Sequence, residues 1–229
     1  MSRLLRLFGT TMGRKLIVAA TGIVLIGFVI IHMLGNLSIL QGPVSLNTYA
    51  DWLQGHPLKW IGRIGLLAAF LIHLVAALGL ALRNRQARPV GYQQAEQLAA
   101  TFASRYIALT GLLLIAFVIY HLLHFTLGQV QPEHAHLIDA ADRHDVYSMV
   151  VYGFQNRIVS ASYIVAMLVL GFHLHHGVSS LFQTLGINHE SYSVMIRVGS
   201  LGLVAIIVIG NCSIPVLVMA GVIAPVGGP

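Results

Sequence analysis

The stretch LIVAATGIVLIGFVIIHMLGNLSIL, residues 16–40, decides the fold of this chain. It contains no charged residue, and about 20 apolar residues are enough for a helix to cross the core of a bilayer. Hydrophobic residues make up 57% of the chain and charged residues 9%, against about 25% charge in soluble domains. The sequence therefore predicts one all-α domain, residues 1–229, built as an integral membrane bundle of five transmembrane helices. The other four predicted spans are residues 60–82, 106–127, 158–185 and 198–223.

The distribution of basic residues predicts the orientation of this bundle. Nine of the 13 lie before span one, between spans two and three, or before span five. The other four share the opposite side with most of the carboxylates. Because cytoplasmic loops are enriched in Lys and Arg, we expect a cytoplasmic N-terminus and a C-terminus outside. The formal charge of +6 is then a topology signal, and we expect membrane lipid and no nucleic acid as a partner. The nine residues are Arg3, Arg6, Arg14, Lys15, Arg83, Arg85, Arg88, Arg105 and Arg197.

Histidines lie inside four of the five spans: His32, His73, His121 and a cluster at His173 and His176. An imidazole is costly to place in hydrocarbon, so an intramembrane histidine indicates a functional site with a partner. His32 and His121 lie eight and six residues before the ends of spans that run outward. His73 and His176 each lie nine residues before the ends of spans that run inward. At about 1.5 Å per residue, the first two share an outer layer and the last two an inner layer.

Two histidines at one depth on separate helices suit the two axial positions of a haem iron. With both positions filled, the iron has no open site for oxygen, which favours electron transfer. The chain has no C-x-x-C-H motif and a single cysteine, Cys212. Covalent haem attachment and a cysteine-ligated iron–sulfur cluster are therefore excluded. The pattern predicts two b-type haems held between the first four helices, forming an electron path across the membrane.

Several stretches, taken in order, resemble one known family. The first is TGIVLIGFVIIHMLGN, residues 21–36, and the second span runs from Gly65 through His73 into NRQARPVGY, residues 84–92. The fourth span ends in HHGVSSLFQTLG, residues 175–186, and NTYADWLQ, residues 47–54, lies between spans one and two. Together they are similar to the five-helix, single-chain cytochrome b membrane anchor of succinate dehydrogenase and fumarate reductase, the type with two b haems. The resemblance covers nearly the whole chain.

This resemblance implies a function and a set of partners. Electrons from succinate oxidation in a flavoprotein subunit would pass through an iron–sulfur subunit and this anchor to a membrane quinone, either menaquinone or ubiquinone. Both partner subunits would bind on the cytoplasmic side of a bacterial cytoplasmic membrane, and a higher oligomer of the complex is left open. The succinate site is expected on another chain, so this chain would be the electron-transfer subunit of the enzyme.

The resemblance also assigns the outer, distal haem. By position, His32 and His121 are implied to be its two axial ligands, which is the pairing that depth alone predicts. His124 lies one turn beyond His121. We expect it either to contact the propionates of the distal haem or to lie at the membrane interface.

For the inner, proximal haem the resemblance implies His73 together with a histidine of span four. Members of the family carry that histidine either directly before a glycine, here Gly177, or four residues before it. These positions correspond to His176 and His173. We favour His176 and keep His173 as the alternative.

Two other classes of function are alternatives. One is a proton channel or transporter in which the intramembrane histidines form a relay. The other is a haemless membrane anchor, in which the histidines bind no cofactor. Against the relay, the chain has no inverted repeat, no matched pair of broken spans and almost no intramembrane carboxylate. A reduced-minus-oxidised absorption spectrum separates all three.

Overall fold

The structure, a computed structural model, describes residues 9–86, 106–187 and 189–226, and every structural statement refers to these residues. Of them, 83% are helical and none lies in a strand. Four basic residues of the orientation prediction (Arg3, Arg6, Arg88 and Arg105) and residues 87–92 of the family-like stretch lie outside them. The helices are α1 (Thr11–Asn36), α2 (Pro43–Gly55), α3 (Leu58–Gln86), α4 (Ile107–His121), α5 (Val146–Gln155), α6 (Arg157–Thr184) and α7 (Glu190–Met219).

Five helical segments are long and apolar enough to cross a membrane, which confirms the predicted all-α architecture with five spans. A 3-10 turn extends α1 to Gln41, and a π-helical turn, Leu122–Thr126, extends α4. The five segments are Thr11–Gln41, Leu58–Gln86, Ile107–Thr126, Arg157–Thr184 and Glu190–Met219.

The fifth span differs most from its predicted bounds. α7 begins at Glu190, not at residue 198, and it ends at Met219, not at residue 223. His189 caps the first turn by accepting a hydrogen bond at Nδ1 from the Ser191 amide, at 3.2 Å. Gly221, just past the end, has a φ of 72°, the left-handed conformation that commonly terminates helices. His189 lies outside the predicted apolar stretch and Gly221 lies inside it without interrupting its apolar character, so hydropathy alone detects neither cap.

Helix packing places the five long helices in one bundle. α1 packs along α3, α6 packs along α7 and against α4, and α1 also contacts α6 and α7. Gly171 allows α6 to approach α7 closely, since a Cβ atom there would lie 2.9 Å from a methyl group of Val208. Small residues serve this purpose widely between membrane helices. The end of the bundle at which α1, α4 and α7 finish is called the cap end here, and the opposite end the far end.

The cap end holds the best-buried part of the molecule. Helices α2 and α5 pack against each other there, and α5 contacts α6 and α7. Their apolar residues form one core with the cap-end turns of the long helices. This core consists of Ile39, Leu46, Tyr147, Val151, Phe154, Val159, Tyr163, Ile214, Val218 and Ile223.

A buried amide ties α2 to the loop and helix that follow α4. Asn47 on α2 is 1% exposed. Its Nδ2 donates to Asp139 Oδ2 at 3.2 Å and to Asp145 Oδ1 at 2.9 Å. Its Oδ1 accepts from the Tyr147 amide at 2.9 Å. One side chain therefore joins α2 to a loop and a helix start that lie 92 to 100 residues later in the sequence.

Both carboxylates of this cluster are held in their charged form. Arg143 donates to Asp139 Oδ2 from Nε at 3.0 Å and from Nη2 at 2.7 Å. The Arg143 guanidinium holds the pKa of Asp139 far below its usual range. Burial raises the pKa of Asp145, but hydrogen bonds from Ser148 and Asn47 outweigh burial and lower it overall. The cluster is therefore acidic and structured at neutral pH.

Candidate functional site

The two histidines predicted for the outer layer lie together near the cap end. The rings of His32 on α1 and His121 on α4 have their centres 5.8 Å apart, with an angle of 86° between their planes. A phenylalanine one turn earlier stacks on each ring: Phe28 on His32 at 5.3 Å and Phe117 on His121 at 5.9 Å. Two imidazoles that bind opposite faces of one metal, each at about 2 Å through a ring nitrogen, have ring centres about 6 Å apart. The observed separation of the ring centres, 5.8 Å, fits two imidazoles that bind one metal ion from opposite sides.

The second layer lies deeper toward the far end and involves His73 on α3. Its Nδ1 lies 3.0 Å from the hydroxyl of Thr21 on α1. His173 on α6 has the same kind of partner, with Nδ1 3.1 Å from the hydroxyl of Thr110 on α4. Each histidine of the inner layer therefore has a threonine partner on a neighbouring helix.

The favoured span-four histidine, His176, has different surroundings. The structure records no hydrogen bond from its ring to another described residue. His173 lies three residues earlier in α6, so its side chain is rotated about 60° around the helix axis from that of His176. The structure brings His173, the alternative ligand, to Thr110 on the neighbouring helix α4.

Sequence reasoning missed a hydrogen-bonded chain behind His121. Its Nδ1 lies 3.3 Å from the hydroxyl of Tyr163, and that hydroxyl lies 3.0 Å from His124 Nδ1. His124 is 3% exposed, and its Nε2 lies 2.8 Å from Gln131 Oε1. His121 ends α4 and His124 lies in the π-helical turn that follows, and both rings reach the Tyr163 hydroxyl. Such turns are frequent at functional sites and leave no clear signal in hydropathy.

The donors and acceptors of this chain can be assigned in order. Gln131 Oε1 only accepts, so His124 Nε2 carries a proton and His124 Nδ1 is an acceptor. Tyr163 therefore donates its single hydroxyl proton to His124 and accepts from His121 Nδ1. His121 is thus protonated at Nδ1, which leaves the Nε2 lone pair free for a metal.

A repeated sequence motif contains both histidines of the outer layer, and sequence reasoning missed it as well. Residues 21–32 read TGIVLIGFVIIH and residues 110–121 read TGLLLIAFVIYH. Both follow the pattern T-G-x5-F-V-I-x-H. Since 11 residues advance a helix by about three full turns, the threonine and the histidine of each copy share one face. The motif occurs in α1 and α4, two helices that run in the same direction, so it is a parallel repeat.

A cleft lies on the other face of α1. It has a volume of about 520 Å³ between α1, α6 and α7, and its walls are apolar apart from Ser200. Ser200 is 3% exposed, and its hydroxyl is one of two buried side-chain polar atoms without a hydrogen-bond partner among the described residues. The other is His175 Nδ1, also on the α6–α7 side. The cleft therefore combines an apolar body with an unsatisfied donor, which suits an apolar ligand that carries a carbonyl oxygen.

Comparison of the chain with protein-family models, curated proteins and solved structures finds no match. What the chain does is therefore argued from the geometry of its own residues and from the sequence resemblance.

Proposed function

We propose that the chain is the dihaem cytochrome b membrane anchor of a succinate dehydrogenase or fumarate reductase, an electron-transfer subunit of succinate:quinone oxidoreductase. The observation that carries this proposal is the facing pair His32 and His121, with ring centres 5.8 Å apart on two helices that share a repeated motif. Bound haem would supply one-electron transfer at each iron.

In this proposal the outer haem is held by His32 and His121. The Tyr163 hydroxyl orients His121 by accepting from its Nδ1, so the opposite ring nitrogen is available to the iron. Phe28 and Phe117 fix the two rings by stacking one turn away. These contacts prearrange both axial ligands before the cofactor binds.

The inner haem is held by His73 and a histidine of α6. The contact of His173 with Thr110, which repeats that of His73 with Thr21, supports His173 in this role over His176. Thr21 and Thr110, which contact these histidines, lie 11 residues before His32 and His121 in helices that run toward the cap end, so the inner haem would lie nearer the far end. The two layers would then carry electrons along the bundle axis.

The proposal extends to the surroundings of the bundle. The far end would face the bacterial cytoplasm, where the flavoprotein and iron–sulfur subunits bind, and the cap end would face outward. This orientation rests on the excess of basic residues at the far end, which includes Arg14, Lys15, Arg83 and Arg85. A membrane quinone would accept the electrons, and the cleft beside Ser200 offers its ring an apolar surface and one hydrogen-bond donor.

Haem content measured on single histidine variants tests the proposal. We expect two b haems per chain in the wild-type complex by pyridine haemochrome assay and by a dithionite-reduced spectrum. His32→Ala, His121→Ala and His73→Ala should each leave one haem, and the exposed loop variant His136→Ala should keep both. His173→Ala should leave one haem and His176→Ala should keep two. A wild-type complex without haem would contradict the proposed function. Loss of one haem in His176→Ala but not in His173→Ala would identify His176 as the ligand.

The same measurements address the two rival functions. A haemless anchor predicts no b-type absorbance in any of these proteins. A proton channel predicts proton flux in vesicles that His73→Ala abolishes without any change in an absorption spectrum.

A further inference from the structure

Two threonine hydroxyls contact the proposed inner ligands in the same way. Thr21 Oγ1 lies 3.0 Å from His73 Nδ1, and Thr110 Oγ1 lies 3.1 Å from His173 Nδ1. In each case the threonine is on a helix different from that of its histidine. Each threonine is followed by a glycine, and an added Cβ on that glycine would lie 3.7 or 3.6 Å from the histidine Cε1 atom. Each imidazole therefore lies over a Thr-Gly pair in the same orientation.

The direction of these hydrogen bonds follows from the second contact of each hydroxyl. Thr21 Oγ1 donates to the Ile17 carbonyl at 2.7 Å, and Thr110 Oγ1 donates to the Ile107 carbonyl at 2.9 Å. A hydroxyl has one proton, so toward the histidine each threonine oxygen accepts. The proton must then lie on Nδ1 of His73 and of His173, and the lone pair lies on Nε2. This is the tautomer that binds a metal through Nε2.

We propose that Thr21 and Thr110 are positioning residues that fix the tautomer and the ring orientation of His73 and His173 and tune the reduction potential of the iron these histidines share. The inference rests on the proposed function. A hydrogen bond from Nδ1 makes the imidazole a more basic, more electron-rich ligand. Such a ligand stabilises the ferric state more than the ferrous state, so each threonine lowers the potential of the inner haem.

The repeated motif supports a role beyond helix packing. T-G-x5-F-V-I-x-H places one threonine and one ligand histidine on the same face of α1 and of α4. Each of these helices then supplies an axial ligand to the outer layer and the supporting threonine to the inner layer. A threonine that only packs between helices has no reason to accept from a ligand nitrogen at both symmetric positions.

Potentiometric titration of the intact complex tests the inference. The variants are Thr21→Val and Thr110→Val, which keep the shape and remove the acceptor, and Thr21→Ser and Thr110→Ser, which keep it. Thr184→Val is the matched control, because the Thr184 hydroxyl donates to the Ser180 carbonyl of its own helix, at 2.8 Å. The readouts are the midpoint potentials of the two b haems and the low-spin ferric electron paramagnetic resonance signal of each.

We expect each valine variant to raise the potential of the inner haem and to leave the outer haem unchanged. A tenfold change in the ferric-to-ferrous equilibrium constant corresponds to a shift of about 59 mV for one electron. The serine variants should restore the wild-type value, and the control should not move it. Loss of the inner haem alone in the valine variants, with retention in the serine variants, also supports the inference.

Three results would overturn the inference. The first is an unchanged midpoint potential of the inner haem in both valine variants of a complex whose wild type holds two b haems. This result would show that the threonines do not tune the inner haem, and it would not affect the proposed function. Equal shifts in the valine and serine variants assign the effect to packing. A wild-type complex without haem overturns the function and the inference together, so the two failures are distinguishable.

Discussion

Replacement of Asn47 by alanine tests whether the polar cluster at the cap end stabilises the bundle. Asn47 is 1% exposed and makes three hydrogen bonds, to Asp139, to Asp145 and to the Tyr147 amide. Alanine leaves the Tyr147 N–H buried without this partner. An unsatisfied buried donor costs about 1–3 kcal/mol. The loss of this acceptor is therefore the largest part of the expected change.

The two carboxylates contribute less to the expected change. Asp145 keeps the bond from the Ser148 amide at 3.0 Å, and Asp139 keeps its bonds from Arg143. Loss of the Asp145 contact therefore adds about 1 kcal/mol, at the low end for a hydrogen bond to a partly exposed charge. The total is about 3 kcal/mol for Asn47→Ala.

Chemical unfolding in detergent, followed by near-ultraviolet circular dichroism of the aromatic residues at the cap end, measures this value. Gln54→Ala on the same helix is the matched control, since Gln54 is an exposed amide and such surface changes stay within about 0.5 kcal/mol. Asn47→Asp keeps the acceptor for the Tyr147 amide but places a third carboxylate beside Asp139 and Asp145. We expect it to be destabilising at neutral pH and less so in acid. If Asn47→Ala matched Gln54→Ala within error, the cluster would have no role in stability.

Two further predictions concern the charge of the cap end and the cleft. The pKa values of Asp139 and Asp145 are lowered in the folded chain. The two carboxylates therefore stabilise the fold fully above the ordinary aspartate pKa of about 3.9. This contribution is lost as the pH falls through the lowered pKa values. Arg143→Gln should raise the pKa of Asp139 and move the acid loss of stability to higher pH, as read by unfolding at a series of pH values; an unchanged profile would contradict the role of the guanidinium. Ser200→Ala should raise the KM for quinone by about 3–10-fold, the loss of one neutral hydrogen bond, with both haem spectra unchanged. An unchanged KM in steady-state quinone reduction would place the quinone elsewhere.

Helix positions and the depths of the histidines along their helices could be predicted from the sequence. Apolar composition marks each span residue by residue, and a fixed rise per residue converts position into depth. Depth alone pairs His32 with His121, and in the folded chain their ring centres lie 5.8 Å apart. The helix ends were harder to predict, because caps such as His189 and Gly221 are single residues that barely change the hydropathy of the stretch.

The partners of the histidines depend on how each helix is rotated about its own axis. Depth along the helix matches His176 to His73, and His173 lies about one turn away on the same face of α6, so the choice between the two is left to their contacts. The contact between His173 and Thr110 depends on the packing of α6 against α4. The Tyr163 hydroxyl reaches both His121 and His124 because α6 packs against the end of α4.

The amino-acid sequence by itself determined that the chain has five helices long and apolar enough to span a membrane and that His32 and His121 share a depth, because hydropathy and helical rise are local and additive. Only the tertiary structure decided which ring nitrogens have partners: Thr21 for His73, Thr110 for His173 and Tyr163 for His121. The physical reason is that a hydrogen bond needs two atoms within about 3 Å at a suitable angle. In a helical bundle that condition is set by the rotation and approach of neighbouring helices, which no single span encodes.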